Sequence, residues 1–186
     1  MTTPAAMPNS ILQAIAPTLF CAEEDRLRLT HGSLRVDLSG RMAKFSLHNP
    51  LSKGKMDLIF FHKTGLLLAE YLREAYFVVG KLNDGTMATP ATNAEGGDVA
   101  LDPHAAEPVP PQQYYYNQIL SVYGSNPPME TRLYVQLYKE RPYVWVKNFF
   151  LNTVTMEFQP CIGGFQFDAD RDRPDDIRAF VLKYNQ

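Results

Sequence analysis

Between residues 132 and 147 lie two runs, Arg132-Leu-Tyr-Val-Gln-Leu-Tyr-Lys139 and Pro142-Tyr-Val-Trp-Val-Lys147, whose residue character changes at every step. A period of two belongs to a β-strand, because successive side chains leave a strand on opposite faces. The runs are close enough to pair as a hairpin around a tight Glu140-Arg141 connection. Leu133, Val135, Leu137, Val144 and Val146 then share one face and require a core. Arg132, Tyr134, Gln136, Tyr138, Tyr143, Trp145 and Lys147 share the other. That second face interleaves flat rings with cationic tips, the combination a sheet needs to stack bases and hold phosphates.

A core of the required size is affordable. The chain has 186 residues, 45% of them hydrophobic and 12% aromatic, which suits one well-buried domain or two small halves sharing a core and excludes disorder of the whole. Its formal net charge of −2 denies it the broad basic field of a protein held on duplex DNA mainly by charge. Any nucleic-acid binding must come from a local face. Cys21 and Cys161 are far apart and lie in no metal-binding pattern, so a reduced, cytoplasmic setting is expected, with neither a zinc site nor a disulfide framework. With no apolar stretch of about 18 residues and no signal-peptide pattern, the chain is expected to be soluble and unexported, with no membrane partner.

Residues 1–25 read as an arm with a short helix, capped by Asn9-Ser10 and stopped by Pro17. From Arg26 onward, short alternating runs separated by Gly32-Ser33, Ser39-Gly40 and Asn49-Pro50 predict a four-stranded meander. The apolar run 66–79 predicts a helix with Thr64 as N-cap and Gly80 as its stop. Its wet stripe is narrow, so it needs cover from a sheet, another helix or another subunit. Residues 83–112, rich in Gly, Pro, Ala and Thr, read as a flexible loop. Strand signals resume at 114–123, continue through the hairpin and an extended or irregular stretch near 153–158, and end at 161–167. A closing helix carries Pro174 in its first turn and Ile177, Phe180, Val181 and Tyr184 at helical spacing. The expected class is α+β: antiparallel sheets with a helix after each set of strands, a possible duplicated ββββα unit. It forms one domain over 26–186, made of halves 26–82 and 113–186.

In the first half Arg35, Lys44, Ser46 and His48 fall opposite the core stripe, and Lys53-Gly54-Lys55 offers two ammonium groups and bare backbone to a phosphate. A solvated hairpin turn explains the same tripeptide. The outward aromatics of the hairpin likewise suit a helix-covering or dimer contact as well as a stacking platform. Tyr114 and Tyr116 extend that platform if Tyr115 packs inward, or the reverse. The four histidines show no metal-ligand or catalytic spacing, and the aspartates at 168, 170, 172, 175 and 176 lack the pattern of a calcium loop. Gly163-Gly164 has no nucleotide-loop context and predicts a bulge or a close backbone approach. No catalytic residue, metal or cofactor is expected.

Strands followed by a helix, twice over, with Lys53-Gly-Lys-Met-Asp-Leu58, resemble the Whirly family and the related positive-cofactor-type transcriptional coactivators. Lys53, Gly54, Lys55 and Leu58 match that family's Lys-Gly-Lys-Ala-Ala-Leu signature; Met56 and Asp57 do not, and the run here stands directly before the helix instead of earlier. The resemblance implies binding of single strands across curved sheets and assembly through helices, here residues 65–79, as a dimer or tetramer. The expected function is therefore non-enzymatic binding of single-stranded nucleic acid, DNA ahead of RNA, in replication, recombination or transcription. Lys44, Lys53, Lys55, Arg132 and Lys147 would hold phosphates, and Tyr134, Tyr138, Tyr143 and Trp145 would stack bases. The alternative is a protein-interaction or assembly module using the same aromatic face.

Overall fold

Every predicted strand region forms a strand, and the strands sort into two antiparallel sheets in a computed structural model that describes residues 26–52, 58–87 and 114–185. The N-terminal arm, Lys53, Lys55 and most of the 83–112 stretch lie outside the described residues. The first sheet is the expected meander: β1 (Arg26–Leu29), β2 (Gly32–Asp37), β3 (Lys44–His48) and β4 (Leu58–Phe61), hydrogen-bonded in that order. Leu34, Phe45, Leu47, Leu58 and Phe60 alternate inward and are buried. Helix α1 (His62–Asn83) follows directly.

The second sheet runs β5 (Tyr116–Tyr123), β6 (Met129–Tyr138), β7 (Arg141–Asn152) and β8 (Glu157–Pro160), with β9 (Phe165–Phe167) also paired to β7. Helix α2 (Pro174–Lys183) closes the described chain. The class is α+β, with one helix after each sheet.

Several boundaries differ from the sequence reading. The hairpin turn is Lys139-Glu140, one residue earlier than expected, with φ of 49° and 63°. Two left-handed residues in a two-residue connection match the right-handed twist of the flanking strands. Helix α1 begins at His62 without a side-chain cap, so Thr64 lies inside it, and it runs past Gly80 to Asn83. Packing outweighs the glycine's helix penalty of about 1 kcal/mol, since Val79 is buried and Leu82 rests on the same core. Of the run 161–167, only the last three residues are strand.

Helix α1 finds its cover within the chain. Its stripe Leu68, Ala69, Leu72, Ala75 and Val79 belongs to one buried cluster with Phe45 and Phe60 of the first sheet, Leu133, Val135, Val144 and Val146 of the second, and Ile177 and Val181 of α2. Its apolar composition therefore does not call for a second subunit. One buried carboxylate also ties the halves. Asp172 accepts hydrogen bonds from the Thr30 backbone N–H (2.8 Å), the Thr30 hydroxyl (2.9 Å) and the Asp168 N–H (2.9 Å). The Tyr76 hydroxyl of α1 donates to the Asp172 carbonyl at 2.8 Å. The acidic run after β9 thus acts as a clamp on the β1–β2 turn. No described helix is long and apolar enough to cross a membrane.

Candidate nucleic-acid interface

The register of β6 and β7 sets the hairpin's two faces. Leu133 pairs with Val146 and Val135 with Val144, and all four are buried against α1 and its neighbours. Leu137, paired with Pro142, is half-buried at the end of that stripe. Arg132 opposes Lys147, Tyr134 opposes Trp145, Gln136 opposes Tyr143 and Tyr138 opposes Arg141 on the reverse face. Helix α1 packs on the Leu/Val side, and α2 packs on α1 and on Phe45 of the first sheet, so neither covers the aromatic side.

That outward face divides into a closed half and an open half. In the closed half Tyr134 is only 2% exposed, with the rings of Tyr114 and Phe149 packed edge-on against it at centroid distances of 4.9 and 5.8 Å. Arg132 lies over the Phe149 and Phe158 rings, at 4.8 and 5.1 Å, and forms an ion pair with Glu130 at 2.7 Å. Tyr134 therefore has no free ring face to offer a base, and the Arg132 guanidinium is already committed to a carboxylate. Burial raises the hydroxyl pKa of Tyr134 above its ordinary value, and the neighbouring Tyr114 adds to the effect. These two residues form the floor of the face.

The open half holds Tyr138, Tyr143 and Trp145. Tyr138 is 63% exposed and meets Tyr143 edge-on at 6.2 Å. Trp145 is half-buried beneath Lys147, whose ammonium sits 4.8 Å from the ring centroid. Partial burial pushes the Lys147 pKa below its ordinary value. Gly164 makes this placement possible, because a Cβ there would come within 2.4 Å of Lys147 Cγ and 2.9 Å of the Val146 carbonyl oxygen. The close approach read from Gly163-Gly164 is thus a packing seat for the Lys147 stem. Two strand residues span about 6.6–6.8 Å, so Tyr143 and Trp145 repeat at twice the ~3.4 Å rise of stacked bases.

The site as sequence drew it does not converge on one sheet. Lys44 stands on the outward face of the first sheet, opposite Asp37 and Phe61, whereas the aromatic platform belongs to the second. Two cations that the sequence reading passed over do join the open half: Lys139, 5.5 Å above the Tyr138 ring, and Arg141, outward on β7 beside Tyr138. Tyr114 reaches the platform side. Tyr116 instead donates its hydroxyl to Glu74 of α1 at 2.7 Å, because β5 begins only after Tyr115. Parity within β7 could have marked Phe149 as outward, and parity within β8 Phe158, but nothing local shows that they and Tyr114 roof Tyr134.

Among the described residues no group of three His, Cys, Asp or Glu side chains is placed to hold a metal ion. No protein-family model matches the chain, and no curated protein or solved structure matches it.

Proposed function

We propose that the protein binds single-stranded nucleic acid, DNA first, across the open half of the second sheet's outward face. Tyr138, Tyr143 and Trp145 stack bases, and Lys139, Arg141 and Lys147 neutralise phosphates. The observation that carries this reading is that α1 packs on the other side of the sheet and α2 packs on α1, so neither helix covers these rings and cations. One exposed ring, Tyr138, beside two half-buried ones, Tyr143 and Trp145, rimmed by cations, suits a ligand that is at once π-faced and anionic, and each stacked base contributes about 1–3 kcal/mol. The order of a helix after each sheet is also what the Whirly resemblance implies. Lys44 lies on the other sheet and joins this site only if a strand passes from one sheet to the other.

The test is fluorescence anisotropy of labelled oligo-dT with the full chain at low and moderate salt. Saturable binding that weakens with salt, and weakens again in Trp145→Ala, is expected; binding unaffected by that substitution contradicts the assignment.

A second reading has its own observation. Ile119 and Val122 are exposed on the same face of β5, an edge strand of this sheet, and exposed apolar residues on an edge suit pairing with another protein chain. A salt-insensitive protein complex disrupted by Val122→Lys, with no affinity for oligo-dT, would favour it.

A further inference from the structure

Strand β9 pairs with β7 only as far as Phe167, which stands opposite Val144. Continued pairing would set Asp168 opposite Tyr143 and Asp170 opposite Arg141. Instead the chain turns away: the Asp168 N–H donates to Asp172 Oδ2 at 2.9 Å, and Asp172 is tied to Thr30 of the β1–β2 turn. Where the ladder ends, a cleft of about 430 Å³ opens at the edge of the second sheet. That is the liquid volume of roughly 14 waters and lies within the usual range of small-molecule sites, about 300–1,000 Å³.

The cleft has an apolar floor and two unlike walls. Val79, Val144 and Phe167 form the floor and are buried. Arg141 and Tyr143 line one wall, and both also belong to the open half of the aromatic face, so the cleft continues that face round the sheet edge. Asp168 and Asp170 line the other wall. Asp168 Oδ1 accepts the Asp170 N–H at 2.9 Å, which fixes the turn and leaves its second oxygen for another donor. Gln166, opposite Trp145 in the β7–β9 register, lines the cleft between the two.

This chemistry selects an occupant. Carboxylates accept hydrogen bonds and a guanidinium only donates, so the ligand presents N–H groups to one wall and an anion to the other. Between them it lays a flat body on the floor. Simple cations fit neither Arg141 nor the floor. Among nucleotides, guanine offers two adjacent donors on its Watson–Crick edge, N1–H and the 2-amino group, which match the two oxygens of one carboxylate. Adenine and cytosine set a ring acceptor beside their amino group, and thymine flanks its one N–H with two carbonyls, so a carboxylate meets repulsion at each. Unstacked bases are read on this edge in single strands.

We propose that the cleft is a guanine pocket at the edge of the stacking platform, with Asp168 and Asp170 accepting from the base and Arg141 holding its phosphate. That the guanine belongs to a strand rests on the function proposed above. The pocket itself rests on the cleft and its two walls, and free deoxyguanosine 5′-monophosphate carries the same chemistry.

Two measurements on the full chain test it. Fluorescence anisotropy compares oligo-dT with strands of equal length carrying one dG, or one deoxyinosine, which lacks the 2-amino group, at either end or in the middle. Amide NMR follows titration with deoxyguanosine and thymidine 5′-monophosphates. In at least one position dG should tighten binding by about fivefold or more, with deoxyinosine between dG and dT, and Asp168→Asn should bring the dG-to-dT ratio towards one. Asparagine keeps an acceptor for the Asp170 N–H; thermal melting checks the fold, and Asp170→Asn stands in if Asp168→Asn does not fold. A dG preference that survives the substitution comes from stacking alone and overturns the pocket. Strands that bind with no preference for dG overturn it too, while the single-strand reading survives. If no strand binds but the guanine nucleotide, and not the thymine one, moves the amides of His31 and residues 168–170, the pocket stands with a mononucleotide and the single-strand reading falls. If nothing binds, both fall.

Discussion

Tyr134 and Tyr138 sit on the same face of the same strand, two steps of the alternation apart, and do opposite things. Tyr134 is roofed by Tyr114 and Phe149, so its truncation opens a cavity; Tyr134→Ala should cost about 3–5 kcal/mol in urea unfolding. Trp145→Ala, at a half-buried ring, should lower the unfolding midpoint less than Tyr134→Ala does and weaken oligonucleotide binding by about 1–3 kcal/mol, roughly 5- to 150-fold. A reversal of that pattern, with Trp145 structural and Tyr134 binding, would refute the division of the face. Period two made the face legible in the sequence. Which of its rings are buried was not, because that depends on Tyr114 and Phe149, which reach Tyr134 only through strand pairing.

The tyrosines also set a pH dependence. Burial raises the hydroxyl pKa values of Tyr76, Tyr116 and Tyr134 above the ordinary value near 10; nearby Asp172 and Asp168 add to it at Tyr76, and the hydrogen bond to Glu74 at Tyr116. Folding therefore favours their protonated forms. Their stabilisation is complete below about pH 10, where the unfolded chain is also protonated, and is lost as pH rises above it. Melting temperature should fall steeply from about pH 10 upward, and Tyr76→Phe should flatten the fall. A curve as flat in the wild type as in the variant would contradict the coupling.

At the scale of elements, the hairpin turn holds Glu140 at a positive φ that a side chain adopts at a cost of about 1–2 kcal/mol. Glycine removes that cost but adds chain entropy, so Glu140→Gly should stabilise the protein by about 0.5–1 kcal/mol, read from chemical denaturation. The connection was legible as tight but placed one residue late, because parity alone does not say which residues close the turn. Helix α1 shows the same limit. Its existence followed from length and apolarity, but local signals at Thr64 and Gly80 lost to tertiary packing that begins at the end of β4 and continues to Leu82.

For the whole molecule, the link between halves lies in the acidic run after β9, whose sequence showed only that it lacks the pattern of a calcium loop. Asp172 is buried and receives three hydrogen bonds, two of them from Thr30 at the far end of the sequence. Asp172→Ala should therefore cost roughly 2–4 kcal/mol, whereas Asp170→Ala, at an exposed position, should cost little. Sequence spacing exposed the acidic cluster but carried no trace of a partner 142 residues away. The same holds for the cleft beside it, which takes shape only where the β7–β9 ladder ends.

The central claim is that the open half of the second sheet stacks bases. Trp145 is the one tryptophan in the chain, so its fluorescence reports on that half alone. Titration of the full chain with oligo-dT at low salt should quench Trp145 saturably, with the quench reversed by added salt. Tight oligo-dT binding that leaves Trp145 emission unchanged, or no binding at low salt, would contradict the account.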